Sequence, residues 1–435
     1  MQRVFVVDHN KEPLMPCHPA RARQLLKKSR AAVFRRYPFT IILLGREGGE
    51  TQDIQIKFDP GSKTTGIALV ATFKRGIRCI WAAELHHRGQ QIRDALLSRR
   101  QLRRGRRTRK TRYRPVRFDN RRRSEGWLPP SLMSRVRNIE TGLNRFSRFA
   151  PITHVAQETV RFDTQLMQNP EIKGIEYQQG TLYGYEVREY LLEKFGRRCV
   201  YCGAENMPLE VEHIVPKSRG GSDRVSNLTL ACHECNQRKG NMTAREFGYP
   251  EVQKYAKQPL KDAAAVNATR WRIFEMLKAA GLPLETGSGG MTKYNRTHQG
   301  YPKAHWIDAA CVGQSGEQVY IASNHAPLVI QANGRGSRQM CGTDKYGFPK
   351  RHRTRQKQFF GFQTGDMVRA VVTQGKKQGV YIGRVLCRKS GSFDIRTATG
   401  REQGIPHRHC TPLHQSDGYS YMKGAALSST AVKIV

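Results

Sequence analysis

Acidic residues are scarce in this 435-residue chain: 35 Asp and Glu stand against 75 Lys and Arg, leaving a formal charge of +40 and a pI near 10.3. A free compact protein with that imbalance repels itself, so the shortage of acids calls for a polyanionic partner. The basic residues run along the whole chain, which points to extensive nucleic acid rather than one short duplex site. Long apolar runs are lacking too. None, Thr40 to Leu44 included, approaches the roughly 20 residues of a membrane helix, and no signal peptide opens the chain. The expectation is a soluble, cytoplasmic protein with no membrane partner. A disulfide framework is also missing. Of ten cysteines four form two close pairs, and others such as Cys17, Cys79 and Cys311 are scattered, as in a reducing compartment. Hydrophobic content of 38% supports real cores but is lean for one large globule, so several domains are expected.

What is present concentrates between Cys199 and Asn241. The pair Cys199 and Cys202 faces the pair Cys232 and Cys235, the ligand set of a closed tetrahedral zinc site. Four thiolates leave zinc no open position, so such a metal pins a segment too short to hold itself by core burial. Between and beside the pairs lie Glu212-His213, a turn at Gly220-Gly221, then Asn227 and Asn236. This is an H-N-H nuclease pattern, a hairpin and helix (the ββα-metal arrangement) around one divalent cation. His213 is the candidate general base, able to take a proton from water beside a scissile phosphate. Glu212 and Asn236 offer hard oxygen ligands for magnesium, and Asn227 is expected to tie the turn by side-chain hydrogen bonds.

Elsewhere single acids close short strand-like runs: Asp59 after Ile54-Gln-Ile-Lys-Phe, and Glu158 after Thr153-His-Val-Ala-Gln. His305 and Asp308 stand three apart, on one face if their segment is helical. Asp59-Pro-Gly is also ordinary turn chemistry, yet acids on three separate elements can converge. Two-metal phosphodiester hydrolysis requires this, with carboxylates bridging two magnesium ions. The element order resembles the ribonuclease-H-like fold of RuvC-type nucleases, which carries onto Asp59, Glu158, His305 and Asp308. Residues 88–123 hold 16 Arg or Lys against two acids, Asp94 and Asp119. The first half is compatible with a helix, and Arg99, Arg100, Arg103, Arg104, Arg106, Arg107, Arg109 and Arg112 suit phosphate contact through the planar guanidinium fork. Pro13 and Pro16 bracket a rigid extended turn. A helix is expected over Asn267 to Ala280, then a glycine-rich loop at Gly287 to Gly290. Alternating strands from Gly365 to Thr397 suggest a small antiparallel barrel. His407, His409, Cys410 and His414 lack the spacing of a usual metal site and read as surface or RNA contact.

An arginine-rich helix after the first nuclease piece, an H-N-H unit after the second, and the runs Val160 to Pro170 and Glu176 to Gly180 together resemble the IscB family. These are transposon-encoded RNA-guided DNA endonucleases related to the CRISPR effectors. Pro13-Leu-Met-Pro16 resembles that family's amino-terminal motif. The resemblance implies a multi-domain α/β protein, a split RNase H-like (RuvC-type) nuclease with an inserted zinc-stapled H-N-H domain, an Arg-rich bridge helix and a small β-barrel-like C-terminal domain. Its parts would be 1–55 (PLMP-type), 56–87, 126–192 and 251–335 (RuvC-like), 88–125 (bridge helix), 193–250 (H-N-H) and 336–435 (binding RNA and the target-adjacent motif). It further implies a long noncoding guide RNA, a double-stranded DNA target with a short flanking motif and a monomeric ribonucleoprotein. Two magnesium ions would serve the RuvC-like site, which cuts the displaced strand, and one the H-N-H site, which cuts the guide-paired strand. An unguided site- or structure-specific endonuclease, or a guided binder that does not cut, are the competing classes.

Overall fold

Alternation in Ile54-Gln-Ile-Lys-Phe-Asp59 sends Ile54, Ile56 and Phe58 to one face of a strand and Gln55, Lys57 and Asp59 to the other. The three apolar residues are fully buried in a central sheet. The fold comes from a computed structural model that describes residues 2–108, 124, 126–159, 185–221, 225–257, 263–334, 340–346 and 348–426. Val160 to Pro170 and Glu176 to Gly180 lie outside the described residues.

The sheet has eight strands, in the order Leu284–Gly287, Ile152–Glu158, Ile54–Pro60, Thr64–Phe73, Gly76–His86, Leu328–Ala332 and Tyr419–Lys423, with Val319–Tyr320 also paired to Gly76–His86. Ile54–Pro60, Thr64–Phe73 and Gly76–His86 form an antiparallel meander. Ile152–Glu158 lies parallel to the first of these and Leu284–Gly287 parallel to it in turn, so segments far apart in sequence share one sheet. Helices Pro130–Phe146 and Ala263–Lys278 cover the Ile56/Phe58 face through Val136, Ile139, Leu143, Phe146, Ile273 and Leu277. Helix His305–Ala310 covers the opposite face, with Trp306 and Ile307 against Ala68, Val70 and Ala82. Among the described residues no helix is long and apolar enough to cross a membrane.

The amino-terminal module is a four-stranded sheet, ordered Pro13–Cys17, Val4–Val7, Thr40–Leu43 and Ala31–Arg35, with helix Pro19–Lys27. The Pro13 to Pro16 run is an edge strand rather than a turn, a place where residues without an N–H are tolerated. Helix Gly89–Thr108 is solvent-exposed over nearly all its length. The stretch expected as a glycine-rich loop instead gives strand Leu284–Gly287 and helix Gly289–His298. Ser288 caps that helix by accepting from the Met291 N–H at 3.2 Å. Toward the C-terminus, Arg401–Pro406, Ser392–Arg396, Gly379–Leu386, Met367–Val372 and Cys410–His414 make a five-stranded antiparallel sheet. No pairing closes it into the expected barrel among the described residues. Tyr419–Lys423 then returns to the central sheet, antiparallel to Leu328–Ala332, because Tyr419 and Tyr421 pack on the central core.

Candidate active sites

The first site forms at one end of the central sheet. Phe58 is registered with Gln157 across parallel strands, so Asp59 and Glu158 emerge side by side. Asp59 is registered on its other flank with Gly66. A Cβ on Gly66 would stand 1.8 Å from the His305 carbonyl oxygen, so glycine there lets helix His305–Ala310 lie directly on the sheet. That approach delivers His305 and Asp308. His305 Nδ1 is 3.5 Å from Asp59 Oδ2, and all four expected residues line one cleft of about 370 Å³.

The electrostatics of the cleft are those of crowded carboxylates. Burial, with Asp59 and Asp308 alongside, pushes Glu158 well above the usual carboxylate range. Burial and then Asp59 push Asp308 up to about 6, while the hydrogen bond with Asp59 raises His305 against its own burial. Glu158, Asp308 and the adjoining Asp59 turn their carboxyl oxygens into one cleft, a hard donor set that fits divalent cations. Side chains absent from the sequence expectation complete the wall. Thr292 stands beside Glu158 with its hydroxyl donated to Ser288 O at 3.1 Å, Arg296 Nε pairs with Asp308 Oδ1 at 2.8 Å, and Arg197 is held by Glu189 at 3.3 Å. Thr292 and Arg296 share helix Gly289–His298 at i and i+4, a spacing that carries meaning only once the helix is known. Beneath Asp59 the fully buried Lys57 donates to Val312 O at 2.9 Å and Ser315 Oγ at 2.7 Å. It thereby ties the Asp59 strand to the segment following the Asp308 helix.

The second site is the stapled hairpin. Strands Leu209–His213 and Leu228–Cys232 pair antiparallel, His213 opposite Leu228, and helix His233–Lys239 follows. The sulfurs of Cys199, Cys202, Cys232 and Cys235 all lie within 4.8 Å of one another, and Cys202 and Cys232 are 3.7 Å apart. A tetrahedron with Zn–S of about 2.3 Å has an edge of about 3.8 Å, so the set fits a structural zinc. Asn227 ties the turn as expected, accepting from Val215 N–H and donating to Val215 O, both at 3.0 Å. A Cβ on Gly221 would stand 1.7 Å from that same carbonyl.

Glu210 and Glu212 share a strand face, and the helix meets them through His233, Asn236 and Lys239. Glu212 is buried, bonded by the Tyr201 hydroxyl at 2.7 Å and paired with the ammonium of the equally buried Lys239. Asn236 donates to Glu210 at 2.6 Å, and Glu210 also meets His233 at 2.9 Å. Glu212 and Asn236 are thus adjacent in the fold but engaged with other partners. Holding a metal requires Lys239 to release Glu212, a residue no spacing rule singled out.

Of the arginines, Arg99, Arg100, Arg103, Arg104 and Arg107 are exposed along helix Gly89–Thr108, whose one acid is Asp94. Arg106 lies in that helix with its side chain undescribed, and Arg109 and Arg112 fall outside the described residues. His407, His409, Cys410 and His414 form no metal-binding group among the described residues.

Residues 4–180 match the RRXRR protein family and residues 199–242 the HNH endonuclease family, the latter a metal-dependent nuclease unit. No curated protein matches the chain. Solved structures similar to it include Streptococcus thermophilus Cas9 in complex with the GGAA PAM, at 12% identity over 59% of this chain and 32% of that one, TM-score 0.22. Another is the Type II-C Cas9 enzyme from Actinomyces naeslundii, at 12% identity over 60% and 59%, TM-score 0.21. The chain spans about a third of the length of that Streptococcus thermophilus protein. An arginine-rich RRXRR segment followed on one chain by an HNH endonuclease segment fits a nuclease of the IscB/Cas9 type.

Proposed function

We propose that the chain is an RNA-guided DNA endonuclease with two cutting sites on one ribonucleoprotein. The reading rests above all on one observation: a carboxylate cleft at the end of the central sheet coexists with a separate cysteine-stapled HNH hairpin, and an exposed arginine helix follows the first nuclease strands. The strand order and directions of the central sheet support a RuvC-type core assembled from 56–87, 126–192 and 251–335. The arginine helix (88–125) and the HNH unit (193–250) interrupt it, and 1–55 and 336–435 flank it.

Asp59, Glu158 and Asp308 would hold magnesium in the cleft, and Glu212 and Asn236 a further ion once Lys239 is displaced. Magnesium, when bound, supplies Lewis-acid polarisation of phosphate and of the attacking water. His305, hydrogen-bonded to Asp59, orients that water and accepts its proton; His213 does so in the HNH unit. Arg197 and Arg296 place positive charge beside the cleft for the phosphate backbone. The four thiolates would hold zinc that does no chemistry. The HNH site would cut the guide-paired strand and the cleft the displaced one.

The test is strand-resolved cleavage by the protein loaded with its co-purifying RNA. Asp59→Ala should nick only the guide-paired strand and His213→Ala only the displaced strand, with DNA binding retained in both. Loss of both cuts in either variant, at unchanged RNA content, would falsify the two-site assignment. Cleavage without bound RNA would place the protein among unguided endonucleases.

A further inference from the structure

Phe360 occupies a backbone conformation that suits it poorly. It stands at the tip of the hairpin Gln358–Phe359/Phe362–Gln363 with φ +53°, followed by Gly361 at +79°. This two-residue turn favours Asn-Gly, and a bulky residue there is an outlier that points to use of the side chain. The ring lies nearly flat on His407, centroids 3.9 Å apart and planes 16° off parallel. Gly391 makes room beneath: a Cβ there would come within 2.9 Å of His407 Nδ1 and 3.1 Å of the Phe360 ring. The His407 backbone N–H donates to Gly391 O at 2.8 Å, holding the backbone that carries the imidazole. Despite the stack Phe360 remains 52% exposed. The chain reaches this tip along Lys350 to Lys357, where Lys350, Arg351, Arg353, Arg355 and Lys357 are all exposed and no acid intervenes.

We infer that the Phe360–His407 stack is a platform for an unpaired RNA base, delivered along the cationic run that precedes it. A positively charged track ending on an exposed aromatic face is the arrangement that holds single strands, the charges meeting phosphates and the ring taking a base. RNA is the occupant because folded RNA permanently offers loop and bulge bases that splay onto Phe and His rings, whereas target DNA exposes unpaired bases only after the guide has paired with it. The inference rests on the reading that the chain carries a guide RNA.

Full-length protein stripped of RNA is titrated with a short single-stranded oligoribonucleotide containing one 2-aminopurine, whose fluorescence reports stacking. Phe360→Asn removes the ring while giving the turn its preferred residue, so its melting temperature should not fall. Its RNA affinity should drop roughly 5- to 150-fold, the ~1–3 kcal/mol of one base–aromatic stack. The salt slope should stay as in the parent, because no phosphate contact is lost. Phe360→Trp should keep affinity and fluorescence change. Undiminished binding by Phe360→Asn overturns the platform, as does a loss that comes with a lower melting temperature. An equal loss on the matching oligodeoxyribonucleotide overturns the assignment to RNA. If the parent protein binds no RNA, the guided reading fails as well; if the parent binds and Phe360→Asn matches it, only the platform fails.

Discussion

At the scale of single residues, Gly66 decides where the His305 helix can sit. One of its two Hα atoms stands where a methyl group would collide with the His305 carbonyl, and backbone cannot step aside as a flexible side chain can. Gly66→Ala should therefore push the helix off the sheet, costing at least about 1–3 kcal/mol of stability, and carry His305 and Asp308 away from Asp59. Cutting of the displaced strand should be lost while the guide-paired strand is still cut. Unchanged displaced-strand cutting at full occupancy would show that the helix adapts. Asp59, Glu158, His305 and Asp308 were legible in the sequence because each closes a strand or opens a helix, and the fold brings all four to one cleft. Gly66, Thr292, Arg296 and Lys239 were not, because their roles depend on register and on approaches between elements distant in the chain. Lys57 shows the same limit. Nothing in Ile-Lys-Phe says that its ammonium will be buried against Val312 and Ser315, with desolvation lowering it to about 8.

Among the elements, the cysteine spacing alone predicted the staple, since paired Cys-x-x-Cys motifs determine both ligand identity and loop closure. The HNH core is small, built around Leu191, Tyr201, Leu209, Leu228 and Leu230. A zinc held by the four thiolates would add about 10–16 kcal/mol, as in zinc-finger peptides, to what this core contributes. Cys199→Ser or Cys235→Ser should unfold this segment and stop the guide-paired cut, although neither residue approaches substrate. Elemental analysis should give one zinc per chain. A metal-free protein that still cuts that strand would refute the staple. Helix Gly89–Thr108 follows a different logic: it buries almost none of its own surface, so its arginines are free for a polyanion. Replacing Arg99, Arg103 and Arg107 by Gln should flatten the slope of log affinity against log salt by about two to three units, at roughly 0.7–0.9 per phosphate contact. The loss should be similar for different guide sequences, because phosphates carry no sequence information. A loss confined to one guide would mean that the helix reads bases. The strand and helix at 284–298 escaped the sequence reading because Gly287-Ser-Gly-Gly290 has loop composition. The glycine that suggests a break is required by contact, since a Cβ on Gly287 would stand 2.6 Å from Gly313 N, and Ser288 caps a helix rather than ending one.

For the whole molecule, Asp417 is where the separate parts meet. Its Oδ2 pairs with Arg35 of the amino-terminal sheet at 2.8 Å and with Arg145 of helix Pro130–Phe146 at 3.2 Å. It also accepts from the Tyr421 hydroxyl, and His414 Nε2 lies 3.7 Å away. Tyr37 stacks on Tyr421 at 5.0 Å across the same junction. Burial alone would raise this carboxyl, but the nearby His414, the hydrogen bond from Tyr421 and the charge of Arg145 prevail and hold it at about 2. A carboxylate depressed from about 4 in the unfolded chain to that value contributes about 2 kcal/mol of stability. The sign follows from linkage: the contribution is complete above about pH 4 and fades as the pH falls through the folded value. Asp417→Asn should thus be less stable than the parent by about 2 kcal/mol near neutral pH, measured by urea unfolding of RNA-free protein. The gap should hold down to about pH 4 and narrow between there and about pH 2, where both forms carry a neutral side chain. A gap that stayed constant from about pH 7 down to about pH 2 would show that the Asp417 carboxylate does not carry this stability.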